Sequence, residues 1–103
     1  MICVIATIEL APGCRQEFLA VLRANIPQVL AEDGCLEYLP AVDLATDIAA
    51  QPAARDNVVT VIEKWIDVAA LKAHLAAPHM AVYRARVRDL VRGATIHVLE
   101  PVG

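Results

Sequence analysis

The sequence is as informative for what it lacks as for what it holds. No apolar run approaches the ~20 residues needed to cross a bilayer as a helix. The opening MICVIATIEL carries no basic leader region and no cleavage pattern; it reads as a strand rather than a signal peptide. Positive charge is not in excess: 9 basic residues face 12 acidic ones, a formal net charge of −3. This leaves no electrostatic case for a nucleic-acid partner or an anionic membrane surface. The three cysteines, Cys3, Cys14 and Cys35, are odd in number and show no CxxC spacing. Their simplest reading is free thiols in a reducing compartment, which places the chain in the cytoplasm. The three histidines form neither HxH nor HxxxH, so no metal site is expected. No internal repeat or low-complexity segment interrupts the pattern.

What is abundant is apolar side chain. The hydrophobic fraction is 58% of 103 residues, against about 45–50% for an ordinary soluble domain. One domain, residues 1–103, is expected at this length. Without a membrane span, the excess must be buried in a core, a pocket or a subunit interface. A homodimer accounts for it most directly.

Periodicity then lays out the elements. Residues 2–10 are β-branched and strand-like, with Val4, Ala6 and Ile8 on one face and Cys3, Ile5, Thr7 and Glu9 on the other. Pro12-Gly13 marks a turn. Residues 14–32 carry Phe18, Val21, Leu22, Ile26, Val29 and Leu30 at helical spacing. Pro27 within that run is expected to kink or split the helix, and Gly34 to stop it. A second strand is expected over 35–46, with Pro40 placing it at an edge or a bulge, followed by a long connection over 47–56. NVVTVIEKWI (57–66) is the clearest strand, and period two puts Asn57, Val59, Val61, Glu63 and Trp65 on one face. Asp67 can cap the next helix, whose expected buried stripe is Val68, Leu71 and Leu75. Pro78 breaks it. A further helix over 79–92 carries Met80, Tyr83, Val87 and Leu90, Gly93 ends it, and 94–100 is a closing strand.

The order is β-α-β-β-α-β, the ferredoxin-like α+β arrangement. It predicts a four-stranded antiparallel sheet with the helices on one face. The other face is apolar and needs a cover, which a second copy of the sheet would supply.

Three stretches carry a resemblance: EDGCLEY (32–38), EKW (63–65), and ALKAH (70–74) followed by PHM (78–80). In this order they resemble the antibiotic biosynthesis monooxygenase domain family of the dimeric α+β barrel superfamily, over nearly the whole chain. The resemblance implies a homodimer joined through its sheets, each subunit keeping a pocket between sheet and helices. The family spreads several chemistries over this scaffold, including cofactor-independent oxidation of quinols and polycyclic aromatics, haem breakdown and isomerisation. The residues that mark the haem-degrading branch correspond here to Thr7, His74 and Arg84, none of them retained, so haem breakdown is not expected.

His74 is the sharpest candidate for chemistry. A neutral imidazole can take a proton from a phenolic hydroxyl, and the resulting anion can reduce O₂ without metal or flavin. The plain alternative is a helix histidine bonded to a carboxylate such as Glu63. Trp65 can wall an aromatic substrate or simply fill the core. Glu63, on the same strand face, can orient His74 or pair with a surface arginine. Tyr38 and Tyr83 offer hydroxyls to a substrate oxygen. Thr7 is a further pocket candidate. Arg84, Arg86, Arg88 and Arg92 form a basic helix edge from which Arg84 or Arg86 can reach the pocket mouth. His79 and His97 rank lower. The sequence therefore points to oxidation of a small quinol or phenolic compound by O₂ with no cofactor. An acid/base isomerase and a non-catalytic ligand-binding dimer are the rivals.

Overall fold

A computed structural model describes all residues, Met1–Gly103. The elements follow as β1 (Ile2–Leu10), α1 (Arg15–Leu30), β2 (Cys35–Ala41), β3 (Val58–Trp65), α2 (Val68–Leu75), α3 (Pro78–Val87) and β4 (Val91–Leu99). The four strands form one sheet in the order β2-β3-β1-β4, with every neighbouring pair antiparallel. This is the ferredoxin-like α+β fold that the sequence predicts, its second helical segment divided at Pro78 into α2 and α3.

The pleat sorts β1 and β3 as their alternation demands. Val4, Ala6, Ile8 and Leu10 of β1, with Val59, Val61, Glu63 and Trp65 of β3, lie under the helices and are buried. Phe18, Leu22 and Val29 of α1, Leu71 of α2, and Met80, Tyr83 and Val87 of α3 close the core from above. The opposite face presents a row running from Leu39 through Ile62 and Ile5 to His97. Nothing in the single chain covers that row.

Several details depart from the sequence expectation. Pro27 lies inside α1 without splitting it; it leaves the Arg23 carbonyl without its i→i−4 donor, but only the final turn of the helix lies beyond it. β2 ends at Ala41 rather than continuing to residue 46. Pro40 sits on the edge strand β2, as expected, and a register shift lies separately at Cys35–Glu37. Helix α3 stops at Val87, and Gly93 lies inside β4 opposite Glu9 instead of ending the helix. In α2 the buried positions are Leu71 and His74, while Val68 and Leu75 are partly exposed. An imidazole thus occupies a core position that an aliphatic residue was expected to fill.

The turn from α1 into β2 is held to the start of α2. Gly34 has φ +84, a conformation that disfavours any residue with a Cβ, and its carbonyl accepts from Ile66 N at 2.9 Å. A Cβ on Gly34 would lie 2.7 Å from Ile66 Cγ1 and 2.8 Å from Ala70 Cβ. Gly34→Ala is therefore expected to cost about 2 kcal/mol or more, from backbone strain plus the clash, measured by urea denaturation. An unchanged midpoint would contradict the tightness of this corner.

Candidate functional site

The corner at Gly34 places Glu32 against α2. Glu32 N donates to Val29 O at 3.0 Å and Cys35 N to Glu32 O at 3.2 Å, so the backbone of the turn is bonded on both sides. From the other direction, Asp67 caps α2 by accepting from Ala70 N at 2.8 Å, as the sequence predicts. The two elements bring Glu32 Oε2 to 2.6 Å from His74 Nδ1. A carboxylate at this ring nitrogen fixes the tautomer that carries hydrogen on Nδ1. The other ring nitrogen, Nε2, bonds no protein group and is not sealed off. It is left as an acceptor on the cavity side.

That cavity has a volume of about 400 Å³. Its floor is the sheet, through Ala6, Ile8, Val61, Glu63, Ala94 and Ile96. Its roof is helical, with His74 and Leu75 from α2 and Met80, Tyr83 and Val87 from α3. Tyr38 of β2 lies at one end, and Arg84 and Arg88 are charged groups on the lining. The space exists because α2 lies over β3, whereas the helix-side residues Ile96 and Val98 of the edge strand β4 remain 44% and 47% exposed. A size of a few hundred Å³, mostly apolar walls and a handful of polar groups is the usual make-up of a small-molecule site.

Burial governs the charges here. Removal from water pushes the His74 pKa down; Glu32 opposes that shift by hydrogen bond and charge, while His79 and Arg84 add to it. Burial likewise pushes Glu63 up, the Glu32 charge adds to the rise, and the bond from Trp65 counters it. Tyr83 is pushed up to about 12, chiefly by burial, and Tyr38 is raised further by burial and by Glu63. Both phenols therefore stay protonated near neutrality and act as donors. Neither hydroxyl has a protein partner.

The sequence expectations divide accordingly. His74, Glu63, Tyr38, Tyr83 and Arg84 come together around the cavity. Trp65 does not line it: fully buried, it stacks on His74 at 4.7 Å between ring centroids and 37° between planes. It supports the imidazole from beneath rather than walling a substrate. Glu63 does not orient His74; its Oε1 accepts from Trp65 Nε1 at 2.9 Å, and Glu32 holds the histidine instead. Thr7 lies on the opposite sheet face, paired with Thr60 and Thr95, because its odd position on β1 points away from the helices. Arg86 is directed to a separate groove beside His79 and Asn25. Arg84 donates through both terminal nitrogens to Leu75 O, at 3.2 Å from Nη1, and so caps the end of α2. His97 is exposed on the open face. Glu32 is the residue that reasoning from spacing missed. It stands 42 positions from His74, and only its place in EDGCLEY marked it.

Two outcomes are expected. Trp65→Phe removes the donor to buried Glu63 and should cost about 1–3 kcal/mol from that bond alone, with the Glu63 pKa rising further; chemical denaturation and carboxyl NMR check this. For His74 the unfolded reference is 6.5 and the folded value lies lower, so the unfolded chain binds the proton first on acidification. The stability contributed by neutral His74 is complete above pH 6.5 and is lost as pH falls from there to the folded value. Urea midpoints of wild type relative to His74→Gln between pH 7.5 and about pH 5 should narrow accordingly; a constant gap would contradict the depressed value.

The comparisons with known proteins agree with this architecture. The family model described as antibiotic biosynthesis monooxygenase matches residues 1–86. The Escherichia coli protein named "Probable quinol monooxygenase YgiN" is 41% identical over 103 residues, covering 98% of each chain. Among solved structures, PA3566 from Pseudomonas aeruginosa superposes with a TM-score of 0.82 at 28% identity, covering 99% of this chain and 94% of that one. Rv0793 from Mycobacterium tuberculosis does so with a TM-score of 0.76 at 30% identity, covering 99% and 95%. The chain belongs to the antibiotic biosynthesis monooxygenase family.

Proposed function

We propose that this protein is a monooxygenase that oxidises a small quinol or related phenolic compound with O₂, using His74 as general base and no metal or flavin. The observation that carries the reading is His74 itself. It is 2% exposed and depressed in pKa by burial, with Glu32 at Nδ1 and Nε2 free on an apolar cavity. The chain's likeness to the protein named "Probable quinol monooxygenase YgiN" supports the same chemistry.

His74 Nε2 removes a proton from a quinol hydroxyl. The imidazolium so formed donates from Nδ1 to Glu32, whose charge offsets it, much as a buried carboxylate does in a catalytic triad. The quinolate is electron-rich and passes an electron to O₂, so the substrate is its own reductant. Carbon–oxygen bond formation between the two radicals and loss of the other oxygen as water complete the turnover: quinol plus O₂ gives hydroxyquinone plus water. Tyr38 and Tyr83, both protonated, donate to substrate oxygens. The apolar walls exclude water that would stabilise and release reduced oxygen species.

The working unit is a homodimer. Leu39, Ile62 and Ile5 form an apolar row on the open sheet face, and a second sheet laid on that row buries it.

Oxygen uptake against a panel of quinols, with metal-stripped protein, should fall about 100-fold or more in His74→Ala, the usual worth of a positioned base, while circular dichroism stays unchanged. No uptake across the panel for wild type would sink the oxygenase reading. Ile62→Glu should convert the dimer to monomer in sedimentation velocity; a dimer that persists would place the interface elsewhere.

A further inference from the structure

A second histidine reaches the same carboxylate. His79 Nε2 lies 3.6 Å from Glu32 Oε1, while His74 Nδ1 holds Oε2 at 2.6 Å. We propose that His79 is a positioning residue: by sharing Glu32, it sets how strongly His74 can hold a substrate proton. The proposal rests on the reading of His74 as the base.

The hydrogen-bond network around His79 makes the argument. Its Nδ1 lies 3.2 Å from Asn25 Oδ1, an oxygen that also accepts from Gln28 Nε2 at 3.3 Å. The Asn25 amide nitrogen is turned to Met80 Sδ at 3.4 Å. An amide oxygen at that point requires hydrogen on Nδ1 of His79. Nε2 is then a bare lone pair in the neutral ring. It is buried, has no hydrogen-bond partner, and faces a carboxylate oxygen. That arrangement is repulsive. A second proton on His79 turns it into an attraction between imidazolium and Glu32. The charge of Glu32 is then divided between two rings, and less of it offsets a proton on His74. The two ring centroids are 6.5 Å apart, close enough for a charge on one ring to be felt by the other.

Other groups surround this pair and belong in the account. His74 also faces Glu63 from β3, Tyr38 from β2 and Arg84 from α3. His79 shares its groove with Arg86. None of them bonds Glu32, which is the one group in direct contact with a ring nitrogen of both imidazoles.

The test uses histidine side-chain NMR titration of the protein, which needs no substrate, together with the pH profile of kcat/KM for quinol oxidation. His79→Asn keeps an amide N–H for Asn25 and removes the second charge. His79→Gln reaches Glu32 with a neutral donor and serves if the first variant does not fold. In either variant the His74 midpoint should move upward by about half a pH unit or more, the size of one like charge at this separation even at the dielectric of water. The acid limb of kcat/KM should move upward with it. An unmoved His74 titration would overturn the proposal, whatever happens to thermal stability. A moved titration in a protein that oxidises no quinol would leave the coupling standing and refute the oxygenase reading instead.

Discussion

The site depends on one contact, the 2.6 Å approach of Glu32 to Nδ1 of His74. An imidazole placed this deep would otherwise be a neutral ring of undetermined tautomer. The carboxylate settles which nitrogen faces the cavity. Burying that carboxylate is costly unless it is bonded, which is why the corner that carries it is so tightly built. Gly34 turns with positive φ, packs on Ile66 and Ala70, and ties the end of α1 to the end of β3. The stability of that corner and the geometry of His74 are one constraint.

A second layer of support comes from β3. Trp65 stacks beneath the imidazole, and its indole N–H satisfies Glu63, the other carboxyl in the cavity. The two carboxyl groups therefore have different tasks. Glu32 remains available to offset charge on His74, whereas burial pushes Glu63 toward its neutral form. Arg84 plays a related structural part by closing the end of α2 through the Leu75 carbonyl, which holds the helix turn on which His74 sits.

Much of this was legible in the sequence, and the exceptions have physical reasons. The alternation of β1 and β3 groups Val4, Ala6 and Ile8 on one face and Val59, Val61, Glu63 and Trp65 on another, because period two is strict in a strand; that these faces are the buried ones is decided by the helices packed on them. The cap at Asp67 and the break at Pro78 are equally local, and both are present. Glu32 was out of reach, since its pairing with His74 is a tertiary contact made by a turn. Trp65 was placed on the right face but given the wrong neighbour: period two says which side a residue faces, not how deep its partner sits. Thr7 was misplaced for the opposite reason. Its odd position on β1 already put it on the face away from Val4 and Ala6, and only a correspondence of positions across the family set it in the pocket. The boundary at Gly93 failed because a glycine can stop a helix or sit within a strand, and here it pairs with Glu9 of β1.

The central claim is that Nε2 of His74 takes a proton from a phenolic hydroxyl bound in the cavity. It is tested most directly by anaerobic titration of the protein with a chromophoric phenol, followed by absorbance, at a pH below the phenol's own ionisation. The account predicts that the phenolate band appears on binding to wild type and is absent on binding to His74→Ala, with the neutral phenol still bound. A phenolate band of equal strength in both proteins, or none in either despite binding, would contradict it.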